Sequence, residues 1–167
     1  YHDGSYRVAQ YGQWDHYPEG QGLTVLDFCA ANLTTPDKRQ AFATCLNKVR
    51  FSTDEGELCS TRTIPGTPYA SRDHGAGILG LIQEAQGEVV LFNHIDFAGE
   101  SLFCEWAYVV DLDKATLEVF KGFNKTPLDP SERFASIAKK SDYEPVRLVG
   151  SFSLDALPSE EEFLAKF

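Results

Sequence analysis

Groups capable of chemistry gather in three places along the chain. The densest is Gln10-Tyr11-Gly12-Gln13-Trp14-Asp15-His16-Tyr17-Pro18, followed by Gln21 and Gly22. Amide, carboxylate, imidazole and aromatic groups share one bend there, between an expected strand and an expected helix. A bend supported on both sides can present side chains in fixed positions, and a helix start offers free N–H groups to an anion or carbonyl. The second place is Asn93-His94-Ile95-Asp96, where an extended backbone would bring His94 and Asp96 to one side. The third is Glu105 beside Trp106. A carboxyl held among apolar groups binds its proton more tightly and can act as an acid or a base.

These three places supply the candidate ligand contacts: Gln13, Trp14, Asp15, Tyr17 and Gln21 from the bend, with His94, Asp96 and Glu105. A purely structural reading stands beside the functional one. In it, Trp14 and Tyr17 plug an open sheet edge, Asp15 caps the turn, and Asp73-His74 caps the following helix. Glu105 then faces water or pairs with Lys121 across a hairpin.

No metal or cofactor is expected. His94 and Asp96 could assemble with His74 or Asp15, but no His-x-His or His-x-x-x-His repeat supports a site. The four cysteines, Cys29, Cys45, Cys59 and Cys104, are too widely spaced for a zinc knuckle or a redox pair. There is no G-x-S-x-G elbow and no P-loop, and Gly75-Ala76-Gly77-Ile78-Leu79-Gly80 lacks the preceding strand that a dinucleotide loop needs. Catalytic residues therefore stay unassigned.

The elements that must hold these groups can be read from pattern. Asp3-Gly4 signals a tight hairpin turn, with Ser5 to Gly12 as the second strand. The bend feeds a helix running to about Leu33, and Thr35 and Pro36 start another whose apolar face includes Phe42, Cys45, Leu46 and Val49. Residues 52–73, rich in Ser, Thr, Gly and Pro, read as a long ordered loop. A buried helix over Gly75–Ala85 and a strand over Val89–Phe92 follow. Leu102 to Leu112 alternates, with Leu102, Cys104, Trp106, Tyr108 and Val110 on one face. Thr116–Gly122 returns as its hairpin partner. A short helix over Pro130–Ala138, a strand over Val146–Leu154 and a terminal helix opened by a Ser159/Glu162 capping box complete the chain. Strands clustered after helices predict one α+β domain over residues 1–167, with a mainly antiparallel sheet and packed helices.

Composition sets the outer bounds. A chain of 167 residues with 43% hydrophobic and 13% aromatic content can bury one core. The formal net charge of −10, from 15 Lys+Arg against 25 Asp+Glu, repels phosphate backbones and anionic lipid. Lys139-Lys140 with Arg133 is the best basic patch, and it reads as a solvated helix end. No stretch approaches the ~20 apolar residues of a membrane span. Nucleic acid and membrane are thus not expected as partners; a protein or a small molecule is. Reduced cysteines and an intracellular location are expected, against the sequons Asn32-Leu33-Thr34 and Asn124-Lys125-Thr126, which would accept glycan on a secreted chain. The start at Tyr1 and the absence of Met suggest processing or a longer product that contains the missing first strand.

Ala9-Gln10-Tyr11-Gly12-Gln13-Trp14-Asp15, with Tyr17-Pro18 and Gly20-Gln21-Gly22, resembles a family of uncharacterised proteins of fungi and bacteriophages. Phe92 to Phe97, Leu102 to Leu112 and Leu117 to Phe120 look like the same family, so the likeness covers most of the chain. It implies no established activity. Members of that family usually carry a short strand before the Asp-Gly turn, which is absent here. A strand leading into such a hairpin is similar to the layering of N-terminal-nucleophile hydrolases, where a terminal Cys, Ser or Thr attacks; Tyr1 has no such chemistry. Two functions are carried forward. One is a non-catalytic ligand- or protein-binding domain, alone or within a larger assembly. The other is a small hydrolase or amidotransferase in which Asp15, His94 and Glu105 converge on a nucleophile outside this chain.

Overall fold

A computed structural model describes residues 1–52 and 69–167. They form a single α+β domain. Residues 53–68 of the expected long loop lie outside the described residues.

Helix α1 (Leu23–Asn32) follows a π-helical turn at Pro18–Gly22, and α2 (Pro36–Leu46) begins where the Thr35 side chain accepts from the Lys38 N–H. A capped start of this kind stabilises by ~1 kcal/mol. Next come β1 (Val49–Phe51), a 3-10 turn at Gly75–Gly77 and α3 (Ile78–Glu84). Strand β2 (Val89–Leu91) lies parallel to β1, with Val49, Arg50 and Phe51 opposite Val89, Val90 and Leu91. After a 3-10 turn at Ile95–Gly99, β3 (Trp106–Asp111), β4 (Thr116–Lys121) and β5 (Arg147–Ser153) make an antiparallel sheet in that order, so β3 is an edge. Helix α4 (Glu160–Leu164) carries the complete Ser159/Glu162 capping box.

The main core joins the helices to one face of this sheet. Leu26, Cys29, Leu33, Ile78, Ile82, Val89, Leu117, Val119, Leu154 and Phe163 are sealed in it. Each fully buried side chain of Leu or Ile size contributes roughly 1.5–3 kcal/mol. A second cluster, including Ala98, Cys104, Val109, Phe120, Phe134 and Val146, covers the other face.

Several expectations change. Residues 5–12 are not a strand. The turn is present, with Asp3 and Gly4 both at positive φ and His2 bridged to Ser5, but the ladder stops there. The segment beyond runs irregularly and touches a strand end only through the Ala9/Asn93 bridge. Residues 130–138 form turns rather than a helix, with the N–H groups of Ala135 and Ile137 each bonding three residues back. Tertiary contacts override local propensity there: Arg133 turns inward to Asp111 and Glu118, and Phe134 enters the second cluster. Arg133 is consequently no part of a basic patch.

The expected strand over 102–112 starts only at Trp106. Ser101–Phe103 is a turn, with the Phe103 and Cys104 N–H groups both donating to the Glu100 carbonyl. Cys104 thereby leaves the Trp106 face and joins the opposite cluster. Glu105 does not pair with Lys121; the Lys121 ammonium lies 5.0 Å from the centre of the Trp106 ring instead.

Candidate functional site

The irregular run from Tyr6 to Tyr17 is a strap that crosses in front of the β3 edge. Between strap and strand lies a cleft of about 390 Å³, within the usual ligand range of roughly 300–1,000 Å³. Its walls include Val8, Val25, Leu46, Ile78 and Trp106 from the main core, and Ala98, Val109 and Phe134 from the second cluster.

Few bonds hold the strap. The Ala9 carbonyl accepts the His94 N–H at 3.0 Å, and the Gln10 side chain donates to the Ser71 carbonyl at 2.7 Å. The Tyr108 hydroxyl donates to the His16 carbonyl at 2.8 Å. Asp15 adopts φ +52 and turns its carbonyl to the Gln21 N–H at 2.7 Å. Glycine is required beside it: a Cβ on Gly20 would sit 2.3 Å from that Asp15 oxygen. At Gly12 a Cβ would fall 2.0 Å from His16 Nε2, so any larger residue there requires the imidazole ring to move.

Seven of the eight candidates, Gln13, Trp14, Asp15, Tyr17, Gln21, His94 and Glu105, line this one cleft, while Asp96 is exposed in the 3-10 turn outside it. Their roles differ. Gln13 donates to Asp73 at 2.7 Å. Gln21 Oε1 accepts the Ala76 N–H at 2.6 Å, capping the turn before α3. That duty was expected of Asp73-His74, yet His74 occupies the cap position without a capping side-chain bond and Asp73 is held by Gln13. At the start of the Pro18–Gly22 turn the Gly20 and Gly22 N–H groups both donate to the Tyr17 carbonyl, and the Gln21 N–H donates to that of Asp15. Trp14 and Tyr17 are free at the mouth, 67% and 54% exposed.

His94 sits between Tyr11 and Phe92, with ring centres at 5.8 and 5.5 Å, and the Arg72 guanidinium lies over the Tyr11 ring, 5.4 Å from its centre. Burial, then the Arg72 charge, holds its imidazole below the usual 6.5, against the Ala9 carbonyl. Burial lowers His16 as well, partly offset by Asp15. Among the described residues, buried nitrogens of Arg7, His16, Arg72 and His94 have no hydrogen-bond partner. No hydrogen bond or ion pair joins Asp15, His94 and Glu105 to one another. Away from the cleft, His2, Asp3 and Asp113 lie close enough to share a cation, but Asp113 is occupied by the N–H groups of Asp3 and Gly4.

Sequence reasoning missed Phe103, 71% exposed at the cleft, and the walls contributed by Val8, Ile78 and Tyr108. Phe103 carried a signal: it is the largest apolar residue on the second face of the 102–112 alternation, which it shares with Glu105, Ala107 and Val109. The remaining walls come together only through packing.

Compared with protein-family models, with curated proteins and with solved structures, the chain matches none.

Proposed function

We propose that this domain binds an apolar or aromatic group, borne by a small molecule or a protein segment, in the cleft between the 6–17 strap and β3, without catalysis. The carrying observation is the combination of apolar walls with Trp14, Tyr17 and Phe103 exposed at the same cleft. Large exposed aromatics gathered on one concavity gain from being covered, whereas scattered ones need no partner. The polar candidates support the reading: Gln13 and Gln21 are engaged in shaping the cleft, and Asp15, His94 and Glu105 lack the mutual hydrogen bonds of a proton relay. The resemblance to fungal and bacteriophage proteins carries no activity, so geometry alone supports the proposal.

Titration with N-phenyl-1-naphthylamine, an aromatic dye without charge, read by dye emission, tests it. Saturable binding is expected, weakened roughly thirtyfold by Trp14→Ala combined with Phe103→Ala, since each large aromatic contact is worth ~1 kcal/mol. Dye binding indifferent to both substitutions overturns the assignment.

A further inference from the structure

We infer that the cleft's occupant is an extended peptide with an apolar centre and Lys or Arg at its ends, added as a strand to the free edge of β3. The inference builds on the binding reading above and specifies the ligand class.

The ladder between β3 and β4 determines which backbone groups remain. Register pairs Trp106 with Lys121 and Tyr108 with Val119, and the Gly122 N–H donates to the Glu105 carbonyl. Glu105, Ala107 and Val109 therefore turn their backbone groups toward β4, because hydrogen-bonded and non-bonded pairs alternate in an antiparallel ladder. Trp106, Tyr108 and Val110 turn theirs outward. Tyr1 meets the end of this row: its N–H donates to the Val110 carbonyl at 2.8 Å, and its carbonyl accepts from Leu112 at 2.9 Å. One residue of the chain already extends the sheet there. Among the described residues, the Tyr108 N–H and C=O and the Val110 N–H have no backbone partner outside the strand.

The cleft runs along this row. Consecutive residues from Phe103 to Val110 line it, although their side chains point to opposite faces of the sheet. Only a space alongside the edge meets both sets. Open strand edges pair readily with another extended chain, the backbone providing affinity and alternate side chains providing selectivity. The stretch from Trp106 to Val110 would span ~17 Å at ~3.4 Å per residue.

Charge indicates the ends of the peptide. Asp15 and Glu105 line the cleft, Glu19 is close enough to act on Tyr108, and none of the three has an ion-pair partner among the described residues. Within a chain of net charge −10, these carboxylates favour Lys or Arg, which can also stack on the exposed Trp14 ring.

The test uses the full chain, isotope-labelled, with the acetylated peptide Lys-Val-Thr-Val-Thr-Val-Lys-amide, its Glu-ended counterpart, and two Lys-ended versions N-methylated on alternate residues in either phase. The Lys-ended peptide is expected to slow amide exchange at Tyr108 and Val110. One N-methylated phase should bind roughly tenfold more weakly for each ladder bond lost, and the Glu-ended peptide more weakly by a similar factor. Val110→Pro removes an outward N–H while leaving the β4 ladder, and should weaken the peptide comparably. If that variant does not fold, the N-methylated pair carries the same test. Equal binding of both N-methylated phases and the parent overturns the inference. So does binding that leaves Tyr108 and Val110 unprotected, protection that rises with protein concentration alone, or no peptide binding at all. Dye binding without peptide binding defeats this inference and leaves the cleft reading standing; absence of both defeats both.

Discussion

Tyr108 and His16, far apart in sequence, are joined by a hydrogen bond of 2.8 Å from the tyrosine hydroxyl to the histidine carbonyl, and this bond ties the aromatic bend to the sheet edge. Burial, followed by the nearby Glu19 charge, raises the phenol's pKa, so the hydroxyl keeps its proton and donates. Tyr108→Phe is expected to cost ~1 kcal/mol in urea unfolding. Amide exchange should quicken at residues 15–17 while the interior of β4 stays protected.

Two glycines differ in what surrounds them. Gly20→Ala pushes a Cβ to 2.3 Å from the Asp15 carbonyl oxygen, a backbone atom that cannot swing aside. A loss of roughly 1–3 kcal/mol is expected, with weaker dye binding. Gly80→Ala, in α3 with nothing within 4 Å of the new Cβ, should instead stabilise by ~0.5–1 kcal/mol. Thermal melts of the pair check both signs.

Arg133 lies 2.6 Å through Nε from Glu118 and also contacts Asp111, with side-chain exposures of 11%, 8% and 0%. Arg133→Ala would strand two carboxylates in the interior. A loss of ~3–5 kcal/mol is expected by denaturant unfolding. Arg133→Met with Asp111→Asn and Glu118→Gln, which removes all three charges, should cost clearly less than Arg133→Ala.

The two depressed imidazoles make stability depend on pH. His16 and His94 both bind protons less readily folded than unfolded, where the value is near 6.5. Their contribution is complete above pH 6.5 and is lost as pH falls through the lower folded values. Melting temperatures between pH 7.5 and 5 should therefore decline, and His16→Gln with His94→Gln should flatten the decline. An unchanged slope in the double variant contradicts the assignment.

Burial pushes the thiols of Cys29 and Cys104 up to about 12. Neither should react with iodoacetamide at pH 8 in the native protein, because the thiolate is the nucleophile. Peptide mapping after alkylation should find both unmodified until denaturant is added.

Much of the architecture was legible because it is local. Thr35 ahead of Pro36, and Ser159 three residues before Glu162, satisfy N–H groups within one turn, so each helix start is encoded by adjacent residues. The β3–β4 hairpin is similarly local, with Asp111 and Thr116 facing across its turn. By contrast, β1 was missed: three residues, Val49 to Phe51, become a strand because Val89 to Leu91 lie beside them. Residues 130–138 misled for the opposite reason, since a helix-compatible pattern yielded to the inward demands of Arg133 and Phe134.

The sequence by itself determined an α+β domain, an acidic composition and a polar-aromatic bend, because composition, periodicity and caps act over a few residues. Only the tertiary structure decided that the bend crosses the free edge of β3, that Gln13 and Gln21 serve as struts, and that Asp96 stays outside the cleft. Those outcomes depend on contacts between distant segments, such as Tyr108 with His16 and Gln21 with Ala76, whose geometry no local pattern specifies.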